Sequence, residues 1–189
     1  MKVNFAKGKW SDRDLTTAYS FRFTETPVFT QLDDCITTCV NKDHREGFDN
    51  ISLLSKEKYS MGAKATIHCA FEEIGCPEII IVPETETCED GAVRYGACYE
   101  LVLWKNGINV WRHYREDGHC FWHKRLGMRF SNEENKIHEL SLEVCERELV
   151  LTLNGQQTTL RTEDLPERFH FGITGCEGIV RIYDMTIKA

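Results

Sequence analysis

The sequence predicts an all-β fold, a sandwich of two antiparallel sheets, from three observations. Apolar and polar residues alternate with a period of two along most of the chain, and helical periodicity is weak. Turn residues separate these segments at the short spacing typical of sandwiches and barrels. Two Asn-Gly dipeptides, Asn106-Gly107 and Asn154-Gly155, are strong hairpin signals. The predicted strands cover residues 2–5, 18–23, 35–40, 50–54, 63–71, 78–82, 97–104, 108–114, 120–124, 138–145, 148–153, 157–160, 169–174 and 179–188, with one helical turn at 162–167 and an acidic surface loop at 85–91.

The first hairpin surrounds Asn106-Gly107. A two-residue loop at this dipeptide fixes the register of the flanking strands. On one face it predicts the pairs Trp104 with Asn109, Val102 with Trp111, and Glu100 with His113. On the other, mostly apolar face it predicts the pairs Leu103 with Val110, Leu101 with Arg112, and Tyr99 with Tyr114. One face is therefore expected to pack on the core, while the other presents tryptophans, an amide, an imidazole and a carboxylate.

The second hairpin surrounds Asn154-Gly155, and a tight turn at Glu146-Arg147 precedes it. The pairs predicted from the two turns are Leu153 with Gln156, Leu151 with Thr158, Leu149 with Leu160, Val144 with Leu149, Leu142 with Leu151, and Leu140 with Leu153. Both turns place the same leucines on one face. Because a slip of one residue would invert every side chain, this agreement predicts a three-stranded meander.

Length and composition favour one soluble domain that covers residues 1–189. The chain has 189 residues, 41% hydrophobic and 28% charged, and only four prolines. Its net charge of −7 disfavours nucleic acid and an anionic membrane surface as partners, and leaves a neutral polar ligand such as a glycan open. The N-terminus shows no apolar segment of a signal peptide, so a cytoplasmic location is expected. Nine cysteines, an odd number, are then expected to be reduced thiols, several of them small core residues.

Four segments resemble the concanavalin A-like lectin/glucanase superfamily: YGACYELVLWKNGINVWRHY, FWHKRL, IHELSLEVCERELVLTLNGQQ and FHFGITGCEGIVRIYDMTIK. The likeness is strongest to its small bacterial branch of laminin-G-like and three-keto-disaccharide-hydrolase-like domains, and it covers about residues 63–188. This resemblance implies a jelly-roll sandwich whose concave face and rim loops bind glycans. It also places residues 3–5 beside the C-terminal strand.

The Trp104/Trp111 face is the leading candidate site. Flat indole rings suit the apolar faces of pyranose rings, and Asn109 and the neighbouring polar groups can bond sugar hydroxyls. Trp122 is a third candidate platform. The alternative is that these aromatic residues only cover the second sheet or a subunit interface, in a monomer or a homo-oligomer.

Glu100 and His113 are the candidate catalytic residues. As a cross-strand pair they could exchange protons with a substrate, with the imidazole supporting the carboxylate. The alternative is an ordinary favourable pair on a solvated sheet face.

Two further patterns favour structural roles over chemistry, and a third leaves calcium open. The segment Glu139-Leu140-Ser141-Leu142-Glu143 resembles the E-x-D-x-E strand of laminarinase-like hydrolases, but serine occupies the central position and the outer glutamates stand about 13 Å apart. The histidines and cysteine of HYREDGHCFWH match no zinc spacing, so no metal site is predicted. The resemblance implies that calcium could bind at acidic loops, and Asp33-Asp34 or residues 84–90 could hold it, although neither segment has a defined ligand spacing.

Three functions remain open. The first is processing of short oligosaccharides by a glycoside hydrolase-like protein, and the second is carbohydrate binding without catalysis. The third is an assembly domain whose aromatic sheet face forms a protein interface.

Overall fold

The computed structural model describes residues 1–21, 29–38 and 51–189. Their strands form two sheets, one of eight strands and one of ten. The strands are β1 (Lys2–Asn4), β2 (Leu15–Ser20), β3 (Phe29–Gln31), β4 (Ile36–Thr38), β5 (Ile51–Ser55), β6 (Tyr59–Ser60), β7 (Lys64–Glu72), β8 (Cys76–Val82), β9 (Glu86–Thr87), β10 (Val93–Tyr95), β11 (Cys98–Trp104), β12 (Gly107–Glu116), β13 (His119–Arg129), β14 (His138–Val144), β15 (Glu148–Leu153), β16 (Gln156–Arg161), β17 (Arg168–Cys176) and β18 (Ile179–Lys188).

The order in the eight-stranded sheet is β16-β15-β14-β7-β18-β4-β3, with β1 paired to β18. The order in the ten-stranded sheet is β13-β12-β11-β8-β17-β5-β2-β10-β9, with β6 paired to β17. The all-β sandwich predicted from period-two alternation is thus confirmed. The predicted strands 18–23, 35–40 and 50–54 extend in part outside the described residues. Four short strands, β3, β6, β9 and β10, were not predicted; each has only two or three residues, so its own alternation is a weak signal.

The core lies between the two sheets. Ile67 and Leu142 of the eight-stranded sheet belong to the same buried cluster as Ile79, Leu101 and Phe171 of the ten-stranded sheet. Burial of these side chains, at roughly 25 cal/mol per Å² of apolar surface, is the main stabilising contribution. In the ten-stranded sheet, alternate residues of each strand therefore point into the core, and those between them form the opposite face, called here the outer face.

Two predictions about strand pairing are confirmed. Strand β1 pairs with β18, with Val3 opposite Met185, so the two ends of the chain lie side by side. All the predicted pairs of the β14–β15–β16 meander occur, including Leu142 with Leu151 and Leu149 with Leu160.

The helical turn predicted at residues 162–167 is wrong. No residue in the described ranges is helical, and 162–167 form an irregular connection. Tertiary contacts hold this segment: the Tyr99 hydroxyl donates to Asp164 Oδ1 at 2.5 Å, and Arg112 Nη1 lies 2.7 Å from Asp164 Oδ2. Pro166 also disfavours helical backbone at Leu165. The acidic loop predicted at 85–91 is exposed, but Glu86–Thr87 within it forms β9, which pairs with β10.

The register predicted for the first hairpin is wrong by two residues. The turn consists of Lys105 and Asn106, and Gly107 is already paired opposite Trp104. Gly107 has φ +145°, and a Cβ atom there would stand 1.8 Å from the carbonyl oxygen of Met128 on β13. The glycine therefore serves the close approach of β13 rather than the turn. Because the shift is an even number of residues, every side chain keeps its predicted face.

Candidate functional site

A cavity of about 250 Å³ opens on the outer face of the ten-stranded sheet. Strands β8, β11, β12, β13 and β17 contribute its walls. The lining residues are Cys76, Glu78, Glu100, Val102, Trp104, Asn109, Trp111, His113, Trp122, Cys176 and Glu177. The six residues proposed from the sequence as catalytic or substrate-binding all belong to this set. Alternation in β11 and β12 brings five of them together, since even residues of β11 and odd residues of β12 share the outer face, and Trp122 joins them from β13.

Tryptophans form the apolar part of the cavity. Trp104 and Trp111 are half-buried and pack on Val102, Cys76 and Cys176. Trp122 lies opposite His113 on β13 and remains 45% exposed. A bulge between Val110 and Trp111 aligns Trp111 with Lys124, whose Nζ stands 5.0 Å from the centre of the indole ring. The cavity thus has an aromatic wall that ends in an exposed ring.

Glu100 and His113 are in contact, but they are not the directly opposed pair that was predicted. Glu100 is opposite Trp111, and Cys98 is opposite His113, so the two candidate residues are diagonal neighbours. Their side chains still meet, with His113 Nε2 2.6 Å from Glu100 Oε2. The ring nitrogen does not point at that oxygen well enough to form a hydrogen bond, and it has no other hydrogen-bond partner. Both side chains are buried in spite of their polarity.

Glu78 is a second buried carboxyl group in the cavity, and the sequence analysis missed it. The side chain is 1% exposed. The Cys176 thiol donates to its Oε1 at 2.9 Å, whereas Oε2 has no hydrogen-bond partner. Burial, followed by the negative charge of Glu100, raises the pKa of Glu78 well above its usual value. The neutral, protonated form is thereby favoured, and Oε2, which accepts no hydrogen bond, can carry the proton.

Glu78→Gln is expected to stabilise the protein increasingly as the pH rises. Because the pKa of Glu78 is higher in the folded state, its stability contribution is complete below the unfolded value of 4.5 and is lost as the pH rises through the folded pKa. Glutamine removes this loss. Above the folded pKa, thermal denaturation should show a gain of at least 2–4 °C, about 1 kcal/mol for a domain of this size.

The matched control is Glu139→Gln, on an exposed position of β14. Its effect should stay within about 0.5 kcal/mol at every pH. A Glu78→Gln gain that is the same at pH 4 and pH 8 would contradict the raised pKa.

The polar atoms of this cavity share an unusual property. Within the described part of the chain, the buried side-chain nitrogen and oxygen atoms that lack a hydrogen-bond partner are Glu78 Oε2, Trp104 Nε1 and His113 Nε2. All three residues line this one cavity. An unsatisfied buried polar group costs about 1–3 kcal/mol, so such groups call for an explanation. A polar ligand that bonds to all three is one.

A sequence signal for Glu78 exists in the segment CPEIIIV. Cys76, Glu78 and Ile80 share a face of β8 by alternation, and a charged residue in the middle of an apolar strand is rare without a partner. The partner, Cys176, lies 98 residues away on β17, and nothing local indicates that pairing.

The other patterns considered in the sequence lie outside the cavity. Glu139 is exposed and Glu143 half-buried on the eight-stranded sheet, as expected for a solvated face, although Ser141 between them is buried. In the described ranges, neither Asp33-Asp34 nor the acidic segment 84–90 contributes to a group of three or more potential metal ligands. Calcium binding there stays a prediction. Within those same ranges, no helix is long and apolar enough to cross a membrane.

Comparison with known proteins gives likeness of structure without likeness of sequence. No protein-family model and no curated protein sequence matches this chain. An endo-acting O-glycanase of the human gut microbiota superposes with a TM-score of 0.68 at 11% identity, over 100% of this chain and 98% of the other. β-Agarase A from Zobellia galactanivorans gives 0.65 at 9% identity, over 99% and 89%. The carbohydrate-binding module CBM66 from Bacillus subtilis gives 0.64 at 9% identity, over 87% and 92%. The two sheets and these superpositions identify the fold of this chain as the concanavalin A-like jelly-roll sandwich.

Proposed function

We propose that this protein binds a carbohydrate in the cavity of the outer face. The observation that carries the proposal is that three buried polar atoms without a hydrogen-bond partner all belong to residues that line one tryptophan-walled cavity, namely Glu78, Trp104 and His113. A sugar has both kinds of group that such a site could bind. Its hydroxyl groups can donate to and accept from the polar atoms, and its apolar ring face can stack on indole.

The size of the cavity suits a single sugar residue. Its volume of about 250 Å³ is below the roughly 300–1,000 Å³ typical of sites for drug-sized ligands. Two buried carboxyl groups and a net charge of −7 favour a neutral sugar over an acidic one. The exposed ring of Trp122 extends the aromatic surface and would contact a second sugar residue. The names of the structural neighbours, a carbohydrate-binding module and an agarase among them, support the same ligand class.

Hydrolysis of the bound sugar is the second candidate function, and Glu78 is the observation that favours it. Glycoside hydrolysis generally needs one protonated and one ionised carboxyl group. The raised pKa of Glu78 suits the acid. Glu100 lies diagonally across from Glu78 on the neighbouring strand, with Val102 directly opposite Glu78. Diagonal neighbours are about 7 Å apart, and from there carboxyl groups can reach the separations that hydrolases use.

A thermal-shift screen of neutral mono- and oligosaccharides tests the proposal. At a concentration 100-fold above its Kd, a ligand that binds only the folded state adds about 2.7 kcal/mol, so at least one sugar should raise the Tm by about 5 °C or more. Sugars that bind should then be incubated with the protein and analysed for new reducing ends. Reducing ends that appear with the native protein and not with Glu100→Gln would establish hydrolysis.

The assembly alternative gives the opposite result in the same experiment. If the aromatic face is a protein interface, no sugar will shift the Tm, and the protein will self-associate in sedimentation experiments through a contact that Trp122→Ala weakens. That combination would overturn the carbohydrate proposal.

A further inference from the structure

Three potential metal ligands meet beside the cavity. They are the Cys98 thiol, the Glu100 carboxylate and the His113 imidazole, and their ligand atoms all lie within 4.8 Å of one another. Cys98 and Glu100 are two residues apart on β11 and point to the same face, while His113 stands opposite Cys98 on β12. Two rigid central strands of the sheet therefore hold all three. In the described part of the chain, no other group of three or more such side chains comes this close.

The contacts that Glu100 makes with His113 and Cys98 within this group are close but poorly aligned for hydrogen bonding. Nε2 of His113 lies 2.6 Å from Glu100 Oε2 without hydrogen-bond geometry. The contact from Cys98 Sγ to Glu100 Oε1 is 3.9 Å long, a weak hydrogen bond at most. The three residues are between 4% and 8% exposed. The carboxylate and the imidazole nitrogen are buried and in contact without hydrogen-bond alignment, an arrangement that suits two groups sharing a third.

We propose that Cys98, Glu100 and His113 bind a divalent transition-metal ion, with zinc the best fit. Thiolate and imidazole are ligands that select zinc and similar ions over calcium or magnesium, which prefer oxygen. The proposal departs from the expectation, drawn from the HYREDGHCFWH segment, that the protein has no metal site. It does not rest on the proposed carbohydrate function, because the ligands are defined by their own geometry.

Charge supports this assignment. A thiolate, a carboxylate and a neutral imidazole around a doubly positive ion sum to zero, which suits a site that is buried. Binding displaces the thiol proton, which passes to solvent, so the metal is held more tightly as the pH rises. Ligand atoms about 2.0–2.3 Å from zinc stand about 3.5 Å apart in a tetrahedral site, and modest side-chain rotations bring the three atoms to that spacing.

Three protein ligands leave one tetrahedral position open, as in zinc sites that bind a water molecule or a substrate. Glu100 and His113 line the cavity, whereas Cys98 is outside the lining. The open position would therefore face the cavity, where a hydroxyl group of a ligand could occupy it. This would place the metal at the polar end of the aromatic wall.

Metal titration of the reduced, chelator-treated full chain tests the site, without any sugar present. We expect one zinc ion per chain by equilibrium dialysis. The cobalt-substituted protein should show sulfur-to-cobalt charge-transfer absorption. Cys98→Ser should abolish that absorption, and Cys98→Ser and His113→Gln should each weaken zinc binding at least tenfold. Cys120→Ser and His123→Gln, which change the same residue types on the neighbouring strand β13, should bind zinc like the native protein.

Three outcomes would overturn the proposal: no stoichiometric zinc, no thiolate absorption with cobalt, or unchanged affinity in Cys98→Ser and His113→Gln. A native cobalt spectrum without thiolate absorption overturns the proposal even if a variant fails to fold. Because zinc is titrated alone, a failure here is distinguishable from a failure to bind carbohydrate.

Discussion

Trp111→Ala is expected to weaken saccharide binding about 30-fold and to abolish the Tm shift of a weakly bound sugar. Trp111 is half-buried in the wall of the cavity, packed beside Val102 and with Lys124 Nζ 5.0 Å from its ring centre. A sugar face stacked on the exposed part of the indole would bury about 80 Å² of apolar surface. At 25 cal/mol per Å² this contact contributes about 2 kcal/mol, or 30-fold in Kd. Isothermal titration with the best sugar of the screen measures it.

Two variants separate stacking from general damage to the fold. Trp111→Phe keeps an aromatic face and should retain most of the affinity. Trp10→Ala removes a half-buried tryptophan that packs on Phe5, away from the cavity, and should leave sugar binding unchanged. If Trp111→Ala binds sugar as tightly as the native protein, the aromatic wall does not contact the ligand.

Most of the cavity residues were predicted from the sequence although the predicted β11–β12 register was wrong. The error did not matter for the face of each side chain, because it was an even number of residues. The predicted and observed pairings of β11 with β12 differ by two residues, and side chains alternate with a period of two. Trp104, Trp111, Glu100 and His113 therefore stayed on one face. The second hairpin was placed without error because two independent turns constrained its leucines, whereas a single Asn-Gly signal constrained the first.

Two pairings, one in the cavity and one beside it, could not be predicted from the sequence, for different physical reasons. Glu78 lines the cavity because β8 lies between β11 and β17 in the sheet. Long-range packing sets this strand order, and local alternation cannot reveal it. The position of Cys98 opposite His113 depends on the two-residue shift, which replaced the predicted partner Glu100. A two-residue shift of register leaves every side chain on its predicted face but gives it a different cross-strand partner. The proposed metal site depends on those partners, because it needs Cys98 opposite His113.

Gly107→Ala is expected to destabilise the protein by about 3–5 kcal/mol, far more than the same change at the other Asn-Gly dipeptide. At Gly107 an added Cβ atom would meet the Met128 carbonyl oxygen at 1.8 Å and its carbon at 2.9 Å. These are backbone atoms, so no side-chain rotation relieves the clash, and φ +145° adds strain for any residue with a Cβ. At Gly155 φ is +83° and nothing lies within 4 Å of the added atom, so Gly155→Ala should cost only about 1–2 kcal/mol.

The contrast between the two glycines tests the corrected hairpin. If Gly107 only completed a turn, as Gly155 does, the two substitutions would lower the midpoint of urea unfolding by similar amounts. If Gly107 lies in β12 against β13, its replacement must push the two strands apart. Trp122 sits on β13 and Trp111 pairs with Lys124 of that strand, so separation would open the aromatic wall. Gly107→Ala should then reduce sugar affinity even under conditions where the variant remains folded, whereas Gly155→Ala, at the β15–β16 turn of the other sheet, should leave that affinity unchanged.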